Sequence, residues 1–395
     1  MMRFLRDLNP AAFWAGITVF IWYAFAGIPL HLAVASQLHL SASETASWIL
    51  IVWLTSAAAS IGASLFYRIP VPITWTVPGI IYLGALAGHF SYAEIVGANL
   101  LAGILMIVLG ALGIGKRIMT WLPLPIVMGM FAGSILEYGT RLVSATVQDF
   151  LVAGTCVLCY LAARVLNDPR LPPVGLAAVG GGLAVLLRSS GVAVSFTWSA
   201  PVLAMPEMTF GFAAFAAITL PMIVLSMGLG NVQGLGFLQA QGYKVAVNPI
   251  SVLVGVASTL NALFGGHPAI VARTAVAMLA AKEAGPSDAR YWGVIVSALL
   301  TLLIGFAGTT IAALVDVLPR SYVAALAGLA ILGALQDSLE KSFSGQLRFG
   351  ALVAFIVAVT PFAIFGISSA FWALLAGVAV SALVERGELL KQWRS

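Results

Sequence analysis

The chain has 395 residues, of which 61% are hydrophobic and only 8% are charged. A soluble domain carries about a quarter charged residues, so this composition excludes a mostly water-facing surface. Apolar runs of about 20 residues recur along the chain and are long enough to cross a hydrocarbon layer of ~30 Å. The sequence therefore predicts an all-α polytopic membrane protein in a lipid bilayer.

The net charge of +5 comes from basic residues that are dispersed between the apolar runs. Dispersed basic residues are typical of the loops of membrane proteins, so we expect no nucleic-acid partner. Cys156 and Cys159 form a C-x-x-C pair inside an apolar run, where free cysteine packs as a small hydrophobe. We therefore expect neither a metal site nor a cofactor.

Hydropathy and helix-breaking residues divide the chain into fourteen predicted membrane segments. Their predicted bounds are 11–36, 45–67, 70–89, 92–113, 118–141, 147–166, 173–189, 210–232, 247–264, 267–284, 289–314, 319–337, 346–361 and 364–385. The longest polar connections are expected at about 190–209 and 232–246.

The basic residues orient these segments. With the N-terminus in the cytoplasm, the cytoplasmic side receives Arg3, Arg6, Arg68, Lys116, Arg117, Arg164, Arg170, Lys244, Lys282, Arg290, Lys341, Arg348, Arg386, Lys391 and Arg394. The opposite side receives only Arg141, Arg188 and Arg320, and Arg273 belongs to neither side. Because cytoplasmic loops are rich in Lys and Arg, this bias predicts a multi-pass protein with an even number of crossings and with both termini in the cytoplasm.

Short internal matches indicate that the chain is a repeat. A-G-I-T at 15–18 matches A-A-I-T at 216–219, and A-S-I-G-A-S-L-F at 59–66 matches A-S-T-L-N-A-L-F at 257–264. The matches pair segment 1 with segment 8 and segment 2 with segment 9. An offset of seven crossings reverses direction, so we predict two inverted repeats, 1–190 and 210–395, joined by a loop at 191–209.

Segment 3 contains a break in its helical pattern. Pro70, Pro72 and Pro78 cannot all lie inside one continuous helix, because proline lacks the N–H and its ring clashes with the preceding turn. The β-branched and aromatic residues of V-P-I-T-W-T at 71–76 predict an extended stretch. Pro78 suits the first turn of a short half-helix that follows.

Segment 10 contains a similar break, F-G-G-H-P at 264–268, after which Pro268 is expected to start a second half-helix. The inverted symmetry makes the two half-helix N-termini face each other. A helix N-terminus offers free N–H groups and the positive end of a dipole, so the pair predicts an anion site. The simpler alternative is two proline kinks without a ligand.

Three ionisable residues, two in segment 10 and one in segment 1, are candidates for function. Arg273 is expected inside the hydrocarbon region, where its cost must be offset by a protein carboxylate or carbonyl cluster, or by a substrate carboxylate. His267 is either a local helix cap or the carrier of a coupling proton, since histidine titrates near neutral pH. His31 is a second candidate for the proton.

The other polar and aromatic residues narrow the substrate class. All the carboxylates fall near predicted helix ends or in loops, which argues against a cationic substrate and against a sodium site built on carboxylates. Asn231 and Gln233 are expected to donate hydrogen bonds to the substrate from their side-chain amides. Trp75, Tyr23 and Phe25 are expected to form an aromatic wall, and the glycines of segment 8 to let backbone and ligand approach closely. The complete set of predicted substrate-binding residues is Tyr23, Phe25, Trp75, Thr76, Val77, Pro78, Gly228, Asn231, Gln233, Gly266, His267, Pro268, Ala269 and Arg273.

Three elements of the sequence together resemble the benzoate:proton symporter family, BenE. They are V-P-I-T-W-T-V-P-G-I at 71–80, I-T-L-P-M at 218–222 and F-G-G-H-P-A-I at 264–270. The resemblance runs over nearly the whole chain and implies the fold shared by nucleobase transporters and sulfate permeases. In that fold, fourteen helices form a seven-plus-seven inverted repeat with half-helices in segments 3 and 10.

The resemblance further implies a core domain, a gate domain and a homodimer formed through the gate domain. The core domain corresponds to 11–113 and 210–314, and the gate domain to 118–189 and 319–385. Nucleobase relatives bind their substrate with glutamates in segments 8 and 10. This chain has Asn231, Gln233 and His267 there, which disfavours a nucleobase. Arg273 departs from the BenE pattern and is similar to the anion-permease branch.

These observations and the resemblance favour a secondary active transporter that takes up benzoate or a similar aromatic carboxylate together with a proton across a bacterial inner membrane. Arg273 and the half-helix N-termini are expected to hold the carboxylate, and Trp75 the ring. The alternative is an inorganic or small organic anion permease or exchanger of the sulfate permease type. An enzyme is disfavoured, because the sequence offers no nucleophile–base pair and no metal cluster.

Overall fold

The computed structural model describes residues 8–113, 123–168, 172–188, 199–313, 318–364 and 367–394. Some of the predictions above fall outside these ranges. They are the positions of Arg3, Arg6, Lys116, Arg117 and Arg170, the start of segment 5, and most of the 191–209 loop.

The first half of the chain is a series of helices interrupted by one short strand. Its elements are α1 (Pro10–Gln37), α2 (Ala42–Tyr67), β1 (Ile73–Trp75), α3 (Val77–Ala85), α4 (Tyr92–Ala111), α5 (Leu124–Gln148), α6 (Phe150–Leu166) and α7 (Pro173–Arg188). Local sequence sets several of the helix starts. Asn9 caps α1 ahead of Pro10, and Ser41 with Glu44 forms a capping box at the start of α2.

The second half repeats this order. Its elements are α8 (Phe212–Ala240), α9 (Val247–Leu263), β2 (Ala269–Val271), α10 (Arg273–Leu279), α11 (Tyr291–Phe306), α12 (Arg320–Phe343), α13 (Arg348–Val359), α14 (Ser369–Val384) and α15 (Arg386–Arg394). A 3₁₀ turn (Lys282–Ala284) and a helical turn (Gly308–Ala312) flank α11, and a two-residue hairpin, β3 (Ala363–Ile364) with β4 (Ile367–Ser368), precedes α14. Two stretches of α8, Phe215–Thr219 and Val224–Val232, are π-helical.

Length and apolarity mark only some of these helices as complete membrane spans. Among the described residues, α1, α2, α4, α8 and α12 meet that standard alone, and α5 with α6 meets it as a pair bent by 118°. The helices α7, α9, α11, α13 and α14 are apolar but shorter. The protein is thus a helical membrane protein with many apolar helices, while the count of fourteen crossings stays a prediction.

Glycines allow α4 and α9 to pack backbone against backbone. A Cβ atom on Gly103 of α4 would lie 2.6 Å from the amide nitrogen of Thr259, and one on Gly255 of α9 would lie 2.6 Å from that of Ile107. Small residues at a helix interface permit such close approach. Elsewhere in the molecule, α5 packs against α12 and α13, and α6 packs against α7.

Several helix bounds differ from the sequence-based expectation. The helix α8 continues to Ala240 instead of ending at 232, so the polar connection expected at 232–246 is largely helical, and α5 continues to Gln148 instead of ending at 141. Pro268 does not start a helix, because residues 269–271 pair with β1 as a strand and α10 begins at Arg273. For the same reason His267 is not a helix cap; the N-cap of α10 is Ala272. The helix α12 continues to Phe343 instead of ending at 337, so Asp337 lies inside a helix and not at its end.

Candidate substrate site

The two chain breaks meet in an antiparallel pair of strands inside the molecule. Thr74 of β1 lies opposite Ile270 of β2. At one end of the ribbon the amide of Thr76 donates to the carbonyl of Pro268 over 3.0 Å. Because the strands run in opposite directions and each leads into a short helix, α3 and α10 leave the ribbon at opposite ends.

A serine from the preceding long helix supports each strand. The hydroxyl of Ser60 accepts a hydrogen bond from the amide of Ile73 over 2.8 Å, and that of Ser258 accepts one from the amide of Ala269 over 2.9 Å. Both serines belong to the matching A-S pairs of the repeated sequence. They satisfy strand amides that would otherwise be buried without a partner.

A cavity of about 380 Å³ lies beside the ribbon, among α1, α3, α5, α8, α10 and α12. Much of its wall is apolar, with aromatic side chains from Trp22, Tyr23, Trp75 and Phe131. The charged residues among its described lining are Arg273, Asp337 and Lys341. A mostly apolar cleft with a few convergent polar groups is the usual form of a small-molecule site.

Six of the predicted substrate-binding residues line this cavity: Tyr23, Trp75, Val77, Pro78, Gln233 and Arg273. They come from α1, the β1–α3 break, α8 and α10, which are distant in sequence. The structure brings them to one cavity, and their role in binding stays a prediction.

The other predicted site residues lie outside the lining of this cavity. They are Phe25, His31, Thr76, Gly228, Asn231, Gly266, His267, Pro268 and Ala269. Thr76 caps α3 through its hydroxyl, and the side-chain oxygen of Asn231 accepts a hydrogen bond from the amide of Val271 in β2. These two residues therefore fix the ribbon and its helix, while Phe25 faces Gly175 of α7.

Arg273 differs from the expectation of a buried arginine. It is the first residue of α10, and its side chain is 45% exposed. Its guanidinium lies 3.7 Å from the carboxylate of Asp337, which also accepts a hydrogen bond from Lys341 over 2.7 Å. The expectation was wrong because α10 starts later than predicted, which places Arg273 at the open cavity. Asp337 is thus a protein carboxylate beside Arg273, and binding of a substrate carboxylate by Arg273 stays a prediction.

His31 and His267 lie together beside Trp75 in a buried aromatic cluster. The centroids of the two imidazole rings are 5.6 Å apart, and that of His31 is 4.6 Å from the Trp75 ring. Trp48 and Trp53 of α2 complete the cluster. Both histidines are fully buried, and Trp75 contacts this pair and also lines the cavity.

The hydrogen-bond partners of the two histidines determine which ring nitrogen of each carries the hydrogen, and the result differs between them. Nδ1 of His31 lies 2.9 Å from the carbonyl of Gly27, which can only accept, so this nitrogen carries hydrogen. The indole N–H of Trp48 donates to Nδ1 of His267 over 2.9 Å, so that nitrogen is unprotonated. Neutral His267 therefore carries its hydrogen on Nε2, whereas Nε2 of neutral His31 is a free lone pair. Neither Nε2 has a hydrogen-bond partner among the described residues.

Three residues at these sites were missed by sequence reasoning: Asp337, Lys341 and Trp48. The four-residue spacing of Asp337 and Lys341 is that of an ion pair on one helix face, which was a usable signal. The predicted end of segment 12 at 337 separates the two residues, whereas the observed helix includes both. No local signal connects Trp48 with His267, which is 219 residues away.

Solved structures with a similar fold are anion transporters of the membrane. The transmembrane domain of a cyanobacterium bicarbonate transporter, BicA, matches with a TM-score of 0.63 and 16% identity, over 93% of this chain and 97% of that one. Murine Slc26a9, an anion transporter in the inward-facing state, matches with a TM-score of 0.58 and 14% identity, over 97% of this chain and 70% of that one. At these identities the likeness shows the fold alone.

Sequence relatives are closer. A benzoate membrane transport protein of Acinetobacter baylyi is 30% identical over 87% of both chains, and the inner membrane protein YdcO of Escherichia coli is 28% identical over 85% of this chain and 86% of that one. The BenE family, described as benzoate membrane transport protein, matches residues 6–383. The chain therefore belongs to the BenE family, and it is a multi-pass transporter of the bacterial inner membrane and not an enzyme.

Proposed function

We propose that this transporter takes up benzoate or a similar aromatic carboxylate together with a proton. The observation that carries the proposal is the cavity, in which aromatic side chains and the guanidinium of Arg273 line one space. Benzoate has the complementary parts, a flat apolar ring and a single carboxylate. We assign the ring to Trp75, Tyr23 and Phe131 and the carboxylate to Arg273, the first residue of α10.

Transport proceeds in this proposal by alternating access of a core domain (α1–α4 and α8–α11) and a gate domain (α5–α7 and α12–α14). The cavity supports this division, because Arg273 comes from the first group and Phe131 and Asp337 come from the second. The antiparallel ribbon and the matching serines Ser60 and Ser258 support a seven-plus-seven inverted repeat with half-helices α3 and α10.

The same proposal gives this conformation an orientation. The charge bias of the sequence places Lys341 on the cytoplasmic side, and Lys341 lines the cavity. The cavity is then open to the cytoplasm, and the conformation is inward-facing. The homodimer through the gate domain remains part of the proposal.

We assign the coupling proton to Nε2 of His31, since it is the free lone pair of the histidine pair, with His267 as its buried partner. A charge on His31, whose ring lies 4.6 Å from that of Trp75, would attract a carboxylate bound against the same indole in the cavity. Proton binding and anion binding therefore favour each other, which is the requirement for symport.

Labelled benzoate uptake into proteoliposomes tests the proposal. An inward proton gradient should drive accumulation that a protonophore abolishes. Benzoic acid itself crosses bilayers, so initial rates are compared with protein-free liposomes and with liposomes containing Arg273→Gln. Uptake no faster than in these controls, for benzoate and for other aromatic acids, would sink the proposal.

The second candidate function is transport of an inorganic or small organic anion. Two observations favour it: the pair of cations Arg273 and Lys341 at the cavity, and the fold shared with bicarbonate and other anion transporters. Competition experiments separate the candidates. Displacement of bound benzoate by bicarbonate, sulfate or chloride at comparable concentrations favours the anion permease, and displacement only by aromatic acids favours the benzoate symporter.

A further inference from the structure

The guanidinium of Arg273 already has a carboxylate of the protein, that of Asp337, beside it. Asp337 lies 3.7 Å from the guanidinium of Arg273 and 2.7 Å from the ammonium of Lys341. The contact with Arg273 joins α10 to α12, whereas the contact with Lys341 stays within α12. One contact therefore ties two helices that the proposed cycle moves apart, and the other does not.

The charges of this cluster leave room for one anion. Two cations and one carboxylate sum to one positive charge, and a substrate carboxylate brings the sum to zero. Asp337 keeps a partner when the substrate takes Arg273, because Lys341 is on its own helix one turn away. The side chains of Arg273 and Asp337 are 45% and 37% exposed, so their attraction is screened and weak enough to be displaced.

We propose that Asp337 is an internal competitor of the substrate. In the empty transporter it holds Arg273 and keeps α10 against α12. An aromatic carboxylate at the cavity takes its place on the guanidinium and frees α10 to move relative to α12, so that movement depends on a bound anion. The inference rests on the proposed function, because it requires Arg273 to bind the substrate carboxylate.

Benzoate binding to the detergent-solubilised full chain, measured by calorimetry at one pH, tests this role. Asp337→Asn should lower the benzoate Kd about two- to fivefold, the factor that corresponds to loss of an exposed ion pair. Asp337→Glu, which keeps a carboxylate on the same helix face, should bind like the wild type. The matched control is Glu340→Gln, which removes an exposed carboxylate three residues further along α12.

The outcomes are distinct. Tighter binding by Asp337→Asn alone supports the competitor. An unchanged or weaker affinity overturns it, and equal tightening by Glu340→Gln overturns it as well, because that result reports only the general field of the helix. A wild type that binds no benzoate overturns the proposed function and this inference together, whereas failure of Asp337→Asn in a wild type that binds overturns the inference alone.

Discussion

Arg273, Asp337 and Lys341 are partly open to solvent, whereas His31 and His267 are fully buried beside Trp75. Charges in the first region are paired and screened by solvent, so exchanging one anion for another costs little free energy. The second region is dry, where an ion without a partner is costly and is therefore a short-lived state. In the proposed function, the anion therefore binds in the solvent-accessible region and the proton binds in the buried one.

The largest expected effect is on the anion side of this comparison. Arg273→Gln should raise the benzoate Kd about ten- to a hundredfold, because it removes a charged hydrogen bond worth about 1.5–3 kcal/mol. Calorimetry on the purified protein measures it. Arg164→Gln, an exposed arginine of α6, is the control and should leave the Kd unchanged. Equal affinities for Arg273→Gln and wild type would remove Arg273 from the site.

The next effect separates the two regions. His31→Gln should reduce proton-driven benzoate accumulation about tenfold, as expected for loss of a proton-transfer group. Exchange of internal for external benzoate without a gradient should persist, because the cavity is intact. His89→Gln, an exposed histidine, is the control. Loss of exchange along with accumulation would show that His31 supports the site's structure and not the proton.

A smaller effect on benzoate affinity is expected when Trp75, which contacts both regions, is displaced. A Cβ atom on Gly27 would lie 2.5 Å from the indole of Trp75 and 3.1 Å from that of Trp53. Gly27→Ala must therefore displace Trp75, and overpacking of this kind should raise the benzoate Kd about three- to tenfold. Gly62→Ala is the matched control, because a Cβ there meets no atom within 4 Å. A Kd as low as that of the control would mean that the position of Trp75 does not matter for binding.

The smallest expected effect concerns the tautomer of His267. Trp48→Phe removes the indole N–H that donates to Nδ1 of His267. His267 can then take either tautomer, and proton-driven accumulation should fall about threefold, within the range of one neutral hydrogen bond. Trp14→Phe, at an exposed tryptophan of α1, is the control. If Trp48→Phe accumulates benzoate as well as the control does, the tautomer of His267 has no role in proton coupling.

The sequence was informative where the signal was local. The prolines and β-branched residues around 71–76 predicted β1, and the hydropathy pattern predicted helices close to the observed ones. Non-local pairing was not predictable: the strand Ala269–Val271 exists because β1 lies beside it, so the start of α10 was placed too early. The burial of Arg273 was wrong for that reason.

The candidate site was predictable to a similar extent. Tyr23, Trp75 and Arg273 were expected near the substrate and line one cavity, because the repeat and the chain breaks point to the same place. Asp337 was not expected there, since its position depends on how α12 packs beside α10. The contact of His31 with His267 is likewise set by tertiary packing of α1 against the ribbon.

The central claim, that proton and anion bind together in separate places, has a direct test in the pH dependence of benzoate affinity. As the pH falls from about 8 to about 5, over which benzoate remains an anion, wild-type affinity should tighten, because protonation of His31 and anion binding favour each other. His31→Gln should show an affinity that does not change over this range. A wild type without pH dependence, or a His31→Gln variant with the same dependence as the wild type, would contradict the account.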